Sequence, residues 1–221
     1  FIVLADADIE RAARTALKAR TMNAGQSCIA AKRFIVMESA AHKFQAKFLE
    51  FFNALKIGNP MDEETDLGPL AKKEIRSDLE KQLQDAEDKG GHVIYGPEPP
   101  PGEGLFFRPA VVTGVTRDMQ ILKEEVFGPI APIVVVGDEQ AAIELANSTD
   151  FGLGAAIWTG DINRGMQLAK QIQSGFVAVN DMVKSDPRLP FGGIKKSGIG
   201  RELSYYGLRE FVNIKTVVVG K

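Results

Sequence analysis

One cysteine stands among 221 residues, and its neighbours are not those of a core: Met22-Asn23-Ala24-Gly25-Gln26-Ser27-Cys28. A thiolate is a strong nucleophile, and backbone N–H groups or cations beside it favour that form. Gly25 lets the backbone turn tightly and leaves room for a ligand. A lone cysteine often serves as a small buried hydrophobe, but the polar Gly-Gln-Ser run beside Cys28 argues for chemistry. The usual activator of a nucleophilic cysteine is histidine. Only His42 and His92 exist, one in an expected first helical turn and the other at the start of an expected strand, and no spacing pairs either with Cys28. A Cys–His hydrolase is therefore disfavoured.

Two further segments carry candidate groups. In Glu124-Glu125-Val126-Phe127-Gly128-Pro129, paired acids precede an aromatic ring and a Gly-Pro turn. A carboxylate can accept hydrogen bonds from ribose hydroxyls, and an aromatic ring can pack on a flat ligand face. The bland alternative is a charged helix end followed by a turn. Pro190-Phe191-Gly192-Gly193 and Lys195 to Glu202 form a glycine-rich stretch, suited either to tight backbone beside a pocket or to a flexible loop. No complete Gly-x-Gly-x-x-Gly follows a strand and no Walker A loop is present, so a full dinucleotide fingerprint is lacking.

The elements that must position these groups follow from periodicity. Phe1-Ile2-Val3-Leu4 reads as a buried strand, an opening that suggests further sequence upstream. Asp8 starts a helix through Leu17 that Gly25 is placed to end. Lys32 to Met37 is a strand, and Ser39 is placed to cap the next helix. On that helix Phe44, Phe48, Phe51, Phe52 and Leu55 make a core-facing stripe. Residues 57–69 form a loop, 72–89 a helix, 92–95 a strand and 96–104 a proline-rich turn. Strands at 110–115 and 130–136, a helix at 139–147, a strand at 155–159, a helix at 162–173 and a strand at 176–180 come next. After the glycine-rich loop of 181–200, residues 202–210 read as helix and 212–219 as a final strand. Strands separated by helices predict an α/β fold, a mostly parallel sheet with helices on both faces.

Composition bounds the rest. The chain is 44% hydrophobic and 25% charged, with a net charge of -2, as in ordinary globular proteins. No basic excess calls for nucleic acid and no apolar run is long enough for a membrane span. One cysteine precludes an internal disulfide, a structural metal cluster is not expected, and a lone thiol without a signal sequence suits a reducing cytoplasm.

Taken in order, the segments Asn23 to Cys28, Leu67-Gly68-Pro69-Leu70, Glu124 to Pro129, Asn147 through Phe151-Gly152-Leu153, and Pro190 through Glu202 resemble the aldehyde dehydrogenase superfamily over essentially the whole chain. The resemblance implies Cys28 as the nucleophile that forms a thiohemiacetal and then a thioester, with its backbone N–H helping to hold the oxyanion. It implies NAD or NADP as hydride acceptor, Glu125 as the ribose-binding carboxylate and Phe127 as the aromatic on the nicotinamide side. The run Cys28 to Phe34 and the stretch Ser185 to Gly193 look most like succinate-semialdehyde dehydrogenases, which makes Ser185 and Arg188 candidates for the substrate's distal carboxylate. Ala30 stands where some relatives carry a second cysteine, so their redox disulfide is excluded. The family's general-base glutamate, in Glu-Leu-Gly-Gly, and its oxyanion-hole asparagine are absent, as is most of the cofactor domain. The expectation is a catalytic domain over residues 1–205, a helix end and oligomerisation strand over 206–221, and a chain that is catalytically incomplete alone. Its partners are a small aldehyde and other copies in a dimer or tetramer, with no nucleic acid and no membrane. A non-catalytic assembly fragment, an aldehyde dehydrogenase of another substrate class, and another thiol enzyme such as an acyl transferase are the competing readings.

Overall fold

The computed structural model describes residues 1–101 and 104–221; Gly102 and Glu103, part of the expected proline-rich turn, lie outside the described residues. The chain runs β1 (Ile2–Val3), α1 (Ile9–Thr21), β2 (Phe34–Met37), α2 (Glu38–Asn53), α3 (Lys73–Asp88), β3 (His92–Tyr95), β4 (Ala110–Thr113), α4 (Gln120–Lys123), β5 (Ile130–Val136), α5 (Glu139–Asn147), β6 (Phe151–Gly152), β7 (Gly154–Trp158), α6 (Ile162–Ala169), β8 (Phe176–Val179), β9 (Ile194–Lys195) and α7 (Ser204–Glu210). Seven strands form one sheet in the order β3-β4-β5-β2-β1-β7-β8. All neighbours are parallel except β3, which runs antiparallel to β4 at the edge.

Alternation along the strands divides the core in two. Ile2, Ile35, Val112 and Ile157 point to one face, where α3, α5 and α6 cover them. Val3, Val36, Val111 and Trp158 point to the other, under α1 and α2. Helices on both faces of a mostly parallel sheet are what the strand–helix alternation implied. The phenylalanine stripe of α2 is core: Phe44, Phe48 and Phe52 stack along the helix with centroids 5.8 and 6.2 Å apart, and Phe34 joins them. Phe51 lies at its edge, under the Arg14 guanidinium at 4.2 Å.

Side-chain caps set three helix starts. Asp8, Asp138 and Asp161 accept first-turn N–H groups at the heads of α1, α5 and α6. Ser39 does not cap α2, because the helix already begins at Glu38 behind an uncapped Met37. α6 stops at Ala169, short of residue 173. Asn147 takes over the backbone there, donating to Gln171 O and accepting from Gln173 N, both at 2.8 Å. α7 begins at Ser204 because Glu202 is held in a bridge with Phe191. Among the described residues the final strand does not form. Residues 211–221 are exposed and, among the described residues, pair with no strand, and a strand has no ladder without a neighbour.

Candidate active site

A pocket of about 320 Å³ opens at the amino ends of the parallel strands. Its wall is built from the segments that lead into β1, β2, β5, β7 and β8, including Phe1, Cys28 to Arg33, Glu124, Glu125, Phe151 to Gly154, Gln173 and Ser174. Ligands of open α/β sheets commonly bind at the carboxyl ends. Here the thiol sits on a helix-to-strand connection, and such connections lie at the opposite edge.

The thiol turn is strained and held on several sides. After α1 ends at Thr21, Asn23, Ala24 and Gly25 all adopt left-handed backbone, with φ of 50°, 53° and 76°. Such conformations persist only where surrounding bonds over-determine them. Asn23 donates its side-chain amide to Gln26 O and Gln26 returns the bond to Asn23 O, at 3.0 and 3.2 Å. The other end of the Gln26 amide accepts from Ala71 N at 2.8 Å. Beyond it Cys28 is exposed and unbonded to any other cysteine.

The sequence did not single out the cations beneath this turn. Arg20 projects from the buried face of α1 and donates to Gly25 O at 2.8 Å, while its Nε and Nη1 find no partner among the described residues. Burial lowers its pKa to about 9, with the charge of Glu125 opposing. Lys32 donates to Ser27 O at 2.8 Å, Ala30 O at 3.2 Å and Cys28 O at 3.3 Å. Its ammonium also lies 3.3 Å from Glu125 Oε1 and 5.9 Å from the Phe127 ring centroid. Burial and the Arg20 charge depress the Lys32 pKa, and Glu125 acts against both. A buried glutamine completes the support: Gln82 donates to Glu124 Oε2 and Glu125 O, each at 3.2 Å.

Glycine-rich backbone closes the far wall. Lys195 donates to Asn147 O and Thr149 O, both at 2.9 Å, and Ser197 Oγ accepts from Gly152 N at 2.9 Å. Gly175 is pressed against the Gly192 carbonyl so closely that no side chain fits. The stretch is thus a brace for the segment before β7, not a free loop.

The fold therefore gathers Cys28, Glu125 and Phe127 around one ammonium. Neither histidine lines the pocket. Ser185 and Arg188 are exposed and outside its lining. Arg188 is held by Asp186 through Nε at 2.9 Å and Nη2 at 2.6 Å, and these bonds hold the Asp186 carboxyl well below the usual carboxylate range. Among the described residues no group of three or more His, Cys, Asp or Glu side chains gathers as a metal site, and no helix is long and apolar enough to cross a membrane.

The family model for aldehyde dehydrogenases matches residues 1–217. The chain belongs to the aldehyde dehydrogenase family. It is 49% identical over 217 residues to an aldehyde dehydrogenase of Paenarthrobacter nicotinovorans, covering 98% of this chain and 47% of that protein. It is 46% identical over 220 residues to a protein of Mycobacterium ulcerans named succinate-semialdehyde dehydrogenase [NADP(+)] 1, covering 100% of this chain and 48% of the relative. The crystal structure of a succinic semialdehyde dehydrogenase from Streptococcus pyogenes with NADP+ superimposes with a TM-score of 0.94 at 38% identity, covering 100% of this chain and 49% of that one. The chain spans about half the length of the curated relatives it matches. In this chain Cys28 and the pair Glu124 and Glu125, 96 residues apart from Cys28 to Glu124 in sequence, line one pocket.

Proposed function

We propose that this chain is the thiol-bearing part of an NAD(P)-dependent aldehyde dehydrogenase that oxidises succinate semialdehyde to the acid. The observation that most supports this is the exposed Cys28 thiol on a pocket that also holds the Glu125 carboxylate. Cys28 Sγ attacks the aldehyde carbon to form a thiohemiacetal. The Cys28 N–H, which has no acceptor among the described residues, donates to the oxygen as it gains charge. Loss of hydride leaves a thioester, and water releases the acid and frees the thiol.

The residues suit one end of a nicotinamide nucleotide. Glu125 keeps a carboxylate oxygen free of Lys32 and is 44% exposed, enough to accept ribose hydroxyls, and Phe127 lies beside it. When bound, the nucleotide accepts the hydride. Ser185 and Arg188 are assigned to the distal carboxylate of the substrate. Arg188 is already forked onto Asp186, so a substrate carboxylate shares that guanidinium with it.

Turnover by the 221-residue chain alone is expected to be absent, because the Glu-Leu-Gly-Gly glutamate that serves its family as base is not among its residues. Nicotinamide reduction followed by absorbance, with succinate semialdehyde and NAD+ or NADP+, tests this. Activity that appears only once the upstream half is supplied supports the assignment and fixes the cofactor. Sustained oxidation by this chain alone overturns the incompleteness, and no activity in the completed protein overturns the substrate.

The exposed C-terminal segment supports a role in assembly beside the catalytic one. Ile214, Val217, Val218 and Val219 present apolar side chains on unpaired backbone, with Val218 and Val219 85% and 87% exposed. We assign residues 215–219 to a strand that adds to another subunit's sheet. Deleting residues 211–221 is then expected to reduce the mass measured by light scattering from a dimer or tetramer to a monomer. An unchanged mass refutes the assignment.

A further inference from the structure

Lys32 touches no reacting atom in the mechanism above, yet it sits at the centre of the thiol turn. An ammonium has three hydrogens, and three carbonyls of the turn face it: Ser27 at 2.8 Å, Ala30 at 3.2 Å and Cys28 at 3.3 Å. Glu125 approaches the same nitrogen at 3.3 Å, and Arg20 grips the upstream end of the turn at Gly25 O. Four carbonyls between residues 25 and 30 are thus drawn toward two cations. The peptide unit is planar and trans, so the C=O of one residue and the N–H of the next point in opposite directions. Drawing Ser27 O toward Lys32 turns the Cys28 N–H away from Lys32, and that N–H meets no acceptor among the described residues.

The geometry points to Lys32 as the positioning residue for the oxyanion donor: it holds the Ser27–Cys28 peptide so that the Cys28 N–H faces the oxygen that becomes negative when the sulfur adds to a carbonyl. The inference rests on Cys28 being the nucleophile. It makes Lys32 a larger determinant of carbonyl addition than of thiol reactivity in general. The exposed Cys28 carbonyl, also held by Lys32, keeps the turn from rotating as a unit. Burial keeps the ammonium in place, with the side chain of Lys32 only 21% exposed.

Two reactions of the sole cysteine in the 221-residue chain separate these roles. In acylation by p-nitrophenyl acetate, the Cys28 sulfur bonds to the acyl carbon through an oxyanion. The bond to p-nitrophenolate then breaks, and the thiol proton passes to buffer. Alkylation by iodoacetamide joins the same sulfur to carbon and expels iodide without forming an oxyanion. Lys32→Met is expected to slow the p-nitrophenolate burst by about ten- to a hundredfold, less than the roughly hundred- to thousandfold that outright removal of one oxyanion donor costs because here the donor is misplaced and not removed, while alkylation changes by less than about threefold. If Lys32→Met melts below the assay temperature, Lys32→Arg carries the test. A planar fork cannot converge on three carbonyls, so the burst again falls selectively, by several-fold. Equal slowing of both reactions means that Lys32 acts on the thiol itself and overturns the proposal, as does an unchanged burst. A wild-type burst no larger than that of Cys28→Ala overturns the nucleophile assignment, and this inference with it.

Discussion

Cys28→Ser is expected to leave the protein folded and to lower aldehyde oxidation by about 10⁴-fold or more in the protein extended by the upstream half its relatives carry. A hydroxyl needs a base to become a nucleophile, and among the described residues none stands beside it. Both histidines are outside the pocket, and Lys32 is committed to three carbonyls and a carboxylate. The side chain is exposed and packs against no core cluster, so the exchange belongs with surface substitutions that shift stability by no more than roughly 0.5 kcal/mol. A thermal melt and a steady-state rate on the same preparation check both halves of the expectation. A serine variant that keeps more than a tenth of the rate rules out covalent catalysis through this position. In the 221-residue chain, Cys28→Ser also abolishes iodoacetamide labelling, since no other cysteine exists.

The layering of the fold was legible because it rests on local periodicity. α5 was read at its observed bounds because its apolar residues recur at helical spacing; the structure adds an Asp138 cap. β9 and α4 were not visible. Two and four residues carry no period, and they form because Lys195 ties down Asn147 and Thr149 and because Asp85 accepts from Gln120 N at 2.7 Å. At the candidate site, the proposed nucleophile and the Glu-Glu-x-Phe loop could be singled out from residue types and the resemblance their order carries, but what holds them could not. Arg20 and Gln82 did leave a signal, each being a polar residue on the apolar face of its helix. Arg20 follows Ala13, Ala16 and Leu17 at helical spacing, and Gln82 lies between Leu79 and Ala86. A sequence can show that such a group is buried. It cannot show that Arg20 meets Gly25 O, or that Gln82 meets the Glu124 carboxylate and the Glu125 carbonyl 42 and 43 residues away. The reach of Lys32 back to residues 27–30 was hidden for another reason: it depends on the left-handed turn at 23–25, which no periodicity encodes.

That turn is where a single methyl group should do the most damage. Gly25→Ala is expected to destabilise the protein by about 2–5 kcal/mol, from two sources that add. Left-handed backbone at φ 76° costs a non-glycine residue roughly 1–2 kcal/mol. The new Cβ then runs into the carbonyl carbon and oxygen of Gly128 and the nitrogen of Pro129, and overpacking of this kind adds about 1–3 kcal/mol. Those atoms are backbone and cannot rotate aside. Gly128 cannot retreat either, because Leu79 is packed against its own Cα. For a chain of this size each kcal/mol lowers the melting temperature by roughly 2–4 °C, so a fall of roughly 10 °C is the measurable outcome. Gly90→Ala provides the comparison. Its φ of 84° imposes the same backbone cost, but a Cβ there meets nothing within 4 Å, so it should lose about 1–2 kcal/mol. If the two variants melt together, the 128–129 turn yields to the methyl and the contact is not rigid. If Gly25→Ala melts well below Gly90→Ala, the thiol turn and the loop bearing Glu125 and Phe127 are locked by direct backbone contact. In that case the surviving folded Gly25→Ala should also lose Cys28 acylation, because the same contact sets the distance between Lys32 and Glu125 that the turn depends on.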